Sequence, residues 1–121
     1  MFATPYAEGC AFIRSDPSMD RPDLQIHFSS VIVDNHLRTI HLKNGLSCHV
    51  CVLRPKSRGS VGLTDAQPKS KPRIDPQYLS DPDDLKLLMK GCGRLKKTNA
   101  ADALTPWRGK HCMIVAVVMR G

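Results

Sequence analysis

Along Asp23–Val33 apolar and polar residues alternate, with Leu24, Ile26 and Phe28 on one side and Gln25, His27 and Ser29 on the other. Successive side chains of an extended chain point to opposite faces, so this period of two predicts a strand with one polar face. A short apolar run at Gly9–Arg14 predicts a strand before it, and the proline-bearing stretch Ser15–Pro22 predicts the turn between them. Asp34–Gly45, with Asn35, Asn44 and Gly45, reads as a long connection, after which Leu46–Leu53 is a second strong strand signal ended by Pro55. Ser60–Leu63 then reads as a third strand joined back to Leu46–Leu53 as a hairpin through Arg54–Gly59, which makes the sheet antiparallel.

The period changes after Asp65–Pro76, a segment rich in Pro, Lys, Ser and Asp that reads as an exposed connection. A helix is predicted over Pro82–Thr98. Ser80 or Asp81 caps it, Pro82 suits its first position, and Asp83 and Asp84 suit the positive end of its dipole. Leu85, Leu88, Met89, Cys92 and Leu95 supply an apolar stripe, with Lys86, Lys90, Arg94 and Lys97 on the wet side. Gly91 and Gly93 each weaken this helix by about 1 kcal/mol relative to Ala, so it depends on packing. The whole predicts a small α+β module, an antiparallel sheet flanked by helices.

Composition narrows the picture. The chain has 121 residues, 41% hydrophobic and 24% charged, which is the range of one folded domain and too little for a complete multidomain enzyme. Aromatic residues make up only 5%, so the core must come from Leu, Val, Ile and Met. The longest apolar run, Met113–Met119, is far short of a membrane span, and Met1–Pro5 lacks the features of a secretory signal. Five irregularly spaced cysteines suit a reducing compartment, so a cytoplasmic location is expected, with membrane association on the cytoplasmic side or the mitochondrial matrix face as the alternative.

These residues admit several chemical readings. Cys48 and Cys51 have the spacing of a zinc or redox pair, but positions three apart on a strand face opposite sides, which favours structural cysteines and no metal. The formal net charge of +7 raises nucleic acid. The basic groups Arg54, Lys56, Arg58 and Lys69, Lys71, Arg73 sit in turns without interleaved aromatic residues, which favours solvated charges and no nucleic-acid partner. Gly91-Cys92-Gly93 lies inside a helix rather than after a strand and forms no phosphate loop. Neither a GxSxG elbow nor a HExxH pair is present. His27, on the polar side of its strand, is either a structural histidine or a ligand-facing one, and Glu8 has the same two readings.

Three ordered stretches carry more information: Arg21–Phe28 (RPDLQIHF), Ser47–Leu63 (SCHVCVLRPKSRGSVGL) and Arg73–Leu85 (RIDPQYLSDPDDL). Together, from about Tyr6 to Trp107, they resemble the glucose-methanol-choline flavoprotein oxidoreductases, nearest to the choline dehydrogenase branch. The resemblance implies that residues 1–110 are part of the C-terminal, substrate-binding domain, a sheet that forms one wall of the alcohol pocket. It implies FAD as cofactor, bound mostly through segments that precede this stretch, and a catalytic histidine in segments that follow it. No catalytic residue is therefore expected here, and the chain alone is expected to be inactive. Glu8 matches a carboxylate that faces the quaternary ammonium of choline, and His27 matches a strand histidine near the same pocket. A small alcohol such as choline is the implied substrate, oxidised to betaine aldehyde in glycine betaine synthesis. Residues 111–121 (HCMIVAVVMRG) read as a tail outside the family pattern, from a truncation or frameshift. With strand edges and apolar faces separated from their neighbours, self-association is expected. The alternative of another class is a stand-alone binding or structural module without catalysis.

Overall fold

The computed structural model describes residues 9–29, 32–34, 39–41, 47–107 and 113–118. Four strands form the main sheet: β1 (Gly9–Ile13), β2 (Leu24–Ser29), β5 (Ser47–Val52) and β8 (Met113–Val118), in the order β1-β2-β5-β8. Two short pairs stand apart from it, β3 (Ile32–Asp34) with β4 (Thr39–His41) and β6 (Ser60–Gly62) with β7 (Arg73–Asp75). One α-helix, α1 (Pro82–Asn99), and a 3-10 helix at Asp102–Trp107 complete an α+β fold. All pairings are antiparallel except β5 with β8, which runs parallel. A parallel neighbour requires a long crossover, and here it carries β6, β7 and α1.

The segment read as one strand over Asp23–Val33 is two, β2 and β3, and the presumed connection after it contains β4, paired with β3. The presumed hairpin between Leu46–Leu53 and Ser60–Leu63 is absent. A carboxylate explains this. Asp84, buried in the first turn of α1, accepts from the backbone amides of Lys56 and Ser57, both at 2.8 Å, and from the Ser57 hydroxyl. These bonds draw residues 56–57 to the helix and turn the chain away from β5. Further along, Gly59 lies so close to the Asp75–Pro76 backbone that a Cβ would sit 2.3 Å from the Asp75 carbonyl oxygen. β6 is thereby delivered to β7, inside what the composition marked as an exposed connection.

Asp81, one of the two expected caps, accepts from the Asp83 amide at 2.8 Å, Pro82 occupies the first turn, and the Ala100 amide closes the far end on Lys96 and Lys97. The face of α1 that packs is not the predicted stripe. Leu85 and Met89 are exposed, and the buried line is Asp84, Leu88, Gly91, Leu95 and Asn99. Its spacing of four, three, four and four residues is one helical face. Two ends are polar and satisfied by the sheet and loop, since Cys48 Sγ donates to Asn99 Oδ1 at 3.5 Å. Gly91, expected to weaken the helix, is the point of closest approach. A Cβ there would meet Val50 Cγ2 at 2.7 Å and Leu24 Cδ2 at 3.1 Å. The core is thus Leu24, Ile26, Cys48, Val50 and Val52 from the sheet against Leu88 and Leu95 from α1.

Candidate functional site

Because α1 covers one side of the sheet, the alternation in β1, β2 and β5 sends a second set of side chains to the other side. Register fixes which ones meet. Cys10 lies opposite His27, and His27 opposite His49, making one row across three strands. Phe12, Gln25 and Cys51 form the next row, and Ser29 opposite Ser47 a third. Directly opposed residues have Cβ atoms about 5 Å apart, so each row is a continuous set of neighbours. Gln25 Nε2 donates to Cys10 Sγ at 3.1 Å, and His49 Nε2 lies 3.3 Å from Ser47 Oγ. The Ser29 hydroxyl is buried without a hydrogen-bond partner among the described residues.

Burial lowers the His49 imidazole below its ordinary 6.5, and the facing His27 lowers it further. His49 is therefore neutral at neutral pH and presents one donor and one acceptor nitrogen. Burial raises the Cys51 thiol, with Cys10 adding to the effect, so Cys51 stays protonated rather than nucleophilic. Cys10 and Cys51 have β2 between them, about 9.6 Å across two strand spacings, beyond disulfide reach. Cys48 and Cys51 occupy opposite faces of an unbroken strand, one against α1 and one on the polar side.

Of the two residues singled out in the sequence, His27 stands in the centre of this polar face, while Glu8 lies outside the described residues. His49 joins His27 on this face without having been a candidate from the sequence. Its side of the strand follows from the alternation over Ser47–Val52, whereas its place beside His27 follows only from the register of β2 on β5. The described residues offer no cradle for the phosphates of a dinucleotide. The N-terminus of α1, the natural anion site, is filled by Asp81, Asp83 and Asp84 and bound to the 56–57 loop. What they do offer is a face that brings together imidazole, hydroxyl and amide groups. The basic cluster also has local partners: Arg54 and Arg58 donate to the Pro22 and Pro55 carbonyls, each at 2.6 Å, and Lys56 pairs with Asp83.

Comparison with known proteins gives this face a context. The family profile described as GMC oxidoreductase matches residues 55–118, a stretch that takes in Lys56, Ser57 and Asp84, the β6–β7 pair, α1 and β8. The chain is 47% identical over 85 residues to an alcohol dehydrogenase [acceptor] of Pseudomonas putida, covering 70% of this chain and 15% of that protein. It is 37% identical over 108 residues to an oxygen-dependent choline dehydrogenase of Brucella ovis, covering 88% of this chain and 20% of that protein. With a choline oxidase of Arthrobacter globiformis it shares 33% identity over 114 residues, 90% of this chain and 21% of that protein. The chain therefore spans about a fifth or less of the length of these relatives.

Proposed function

This chain belongs to the GMC oxidoreductase family, and on that footing we propose that it supplies part of the substrate-binding domain, residues 1–110, of an FAD-dependent alcohol dehydrogenase acting on choline. FAD, held by other segments of the full-length protein, would supply the redox chemistry of the alcohol oxidation. The part of this chain is the wall. His27 and His49 hold the alcohol by hydrogen bonds, with His49 kept neutral so that it can accept one. Glu8, directly before β1 in the sequence, attracts the quaternary ammonium, an interaction that strengthens in a water-poor pocket. The observation that carries this reading is the row Cys10, His27, His49 on the face that α1 leaves uncovered. Betaine aldehyde, on the way to glycine betaine, is the product. The chain alone is inactive, and it works in the cytoplasm or on the cytoplasmic side of a membrane.

The 47% identity with an alcohol dehydrogenase [acceptor] supports a second reading within the family, an uncharged alcohol in place of choline. One experiment separates them. In the Pseudomonas relative with its matching segment replaced by this chain, Glu8→Gln is expected to raise the KM for choline about tenfold, or about 1.4 kcal/mol, and to leave 1-butanol unchanged. Equal losses on both alcohols remove the cation-binding role, and activity on 1-butanol alone before mutation selects the second reading. The purified 121-residue chain is expected to show neither a flavin absorption band nor choline-dependent dye reduction.

A further inference from the structure

The β6–β7 ribbon belongs to neither the main sheet nor the core. In an antiparallel pair opposed residues share a face, so Val61 and Ile74 lie together, with Leu63 directly after the strand that carries Val61. Val61 is 64% exposed, Leu63 86% and Ile74 59%, a continuous apolar strip in water. The opposite face is polar, with Ser60 against Asp75 and Gly62 against Arg73. A lone two-stranded ribbon is marginal in water, yet this one is well anchored. Thr64 Oγ1 donates to the Lys71 carbonyl at 2.7 Å, Gly59 is seated on the Asp75–Pro76 backbone, and Leu79, at a left-handed φ of 59°, packs against the core. An ordered ribbon held out with its apolar side bare is built to be covered.

Two observations identify the cover. The ribbon falls inside the stretch that the family profile matches, so its occupant is something members of the family share. The relatives are about five to seven times longer than the matched segment, so the shared candidate is their remaining polypeptide. Charge adds the chemistry of the rim. Asp65 is taken up by the Gln67 amide and Ser70, and Asp75 by Gln77, whereas Lys69, Lys71 and Arg73 turn the outward balance positive. We propose that the Val61–Leu63–Ile74 face docks the remaining body of a GMC polypeptide through an apolar patch rimmed by carboxylates. This rests on family membership and is independent of which alcohol is oxidised.

The test reads burial, not catalysis. Val61→Cys and Ile74→Cys are labelled with maleimide in the isolated 121-residue chain and in the full-length Pseudomonas relative carrying this chain in place of its matching segment. Peptide-resolved mass spectrometry separates these sites from the native cysteines. Labelling is expected to slow by about tenfold or more in the graft, while Ser60→Cys on the polar face reacts at similar rates in both. Equal rates for Val61→Cys in the two settings overturn the proposal, as does protection of the isolated chain by phosphatidylglycerol vesicles or by its own dimerisation to the same degree. Should the graft not fold, Val61→Ser/Ile74→Ser in the isolated chain is expected to cut binding of an apolar dye about twofold at an unchanged Tm. A lowered Tm with dye binding unchanged would mean that the face is internal packing, and overturns it too.

Discussion

The two faces of β1, β2 and β5 are built from interleaved residues of the same short segments, yet they do different work. On the helix side Leu24, Ile26, Val50 and Val52 are nearly or fully buried against Leu88, Gly91 and Leu95. On the other side Cys10, His27, His49, Gln25 and Ser29 gather polar groups into rows. Apolar packing is concentrated on the first face and polar groups on the second, and a strand allows both because each residue belongs to only one. The separation predicts that changes on the helix side destabilise the protein far more than changes at the partly exposed polar positions Gln25, His27 and His49.

The sharpest attempt to break this contrast compares neighbours in sequence. Leu24→Ala is expected to cost about 3 kcal/mol in urea unfolding, and Gln25→Ala less than about 0.5 kcal/mol. Similar losses at both positions would mean that the polar face is also core. Next in size is Asp84→Asn, which leaves the Lys56 and Ser57 amides poorly satisfied and is expected to cost about 2 kcal/mol at neutral pH. Burial alone would raise the Asp84 carboxyl, but the bonds from Ser57 and from the Lys56 and Ser57 amides outweigh it and hold it below 3.8. A lowered carboxyl gives stability above its unfolded value that is lost as pH falls through the folded one. Wild type is therefore expected to lose stability faster than Asp84→Asn below about pH 4, as followed by circular dichroism.

The two helix glycines refine the comparison. Gly91→Ala drives a Cβ into Val50 and is expected to destabilise by about 1–2 kcal/mol, whereas Gly93, with nothing within 4 Å, is expected to gain up to about 1 kcal/mol as Ala. Thermal melts that move in the same direction would contradict the close approach of helix and sheet. The smallest effect lies on the polar face. Burial sets most of the lowering of the His49 imidazole, so replacing the facing His27 with Gln is expected to move it only part of the way back toward 6.5 without changing the fold, as seen in its proton NMR titration. Because a depressed imidazole stabilises above its unfolded pKa and loses that contribution as pH falls toward the folded one, the variant is expected to be slightly less sensitive to mild acid.

Much of this was legible in the chain. Local signals specified β1, β2, β5 and α1, because a period of two, a capped helix start and proline stops act within a few residues. The polar side of β2, with His27 on it, was likewise visible. Three features were not. The true packing face of α1 begins at Asp84 and ends at Asn99, with a glycine in the middle, so hydropathy favoured Leu85 and Met89 instead. The pairing of β6 with β7 rather than β5 is set by a carboxylate 27 residues away from Ser57, and β3–β4 by pairing across a stretch read as a connection. His49 became a neighbour of His27 only through the register of β2 on β5.

The sequence by itself determined which residues could form strands and a helix, and which family the motifs resemble, since these depend on local spacing and on wording. Tertiary structure decided which strand pairs with which, which helix face is buried, and which polar side chains share a wall. Those outcomes turn on contacts between residues distant in the chain, where a single buried carboxylate or a missing Cβ outweighs the local preference of several neighbours.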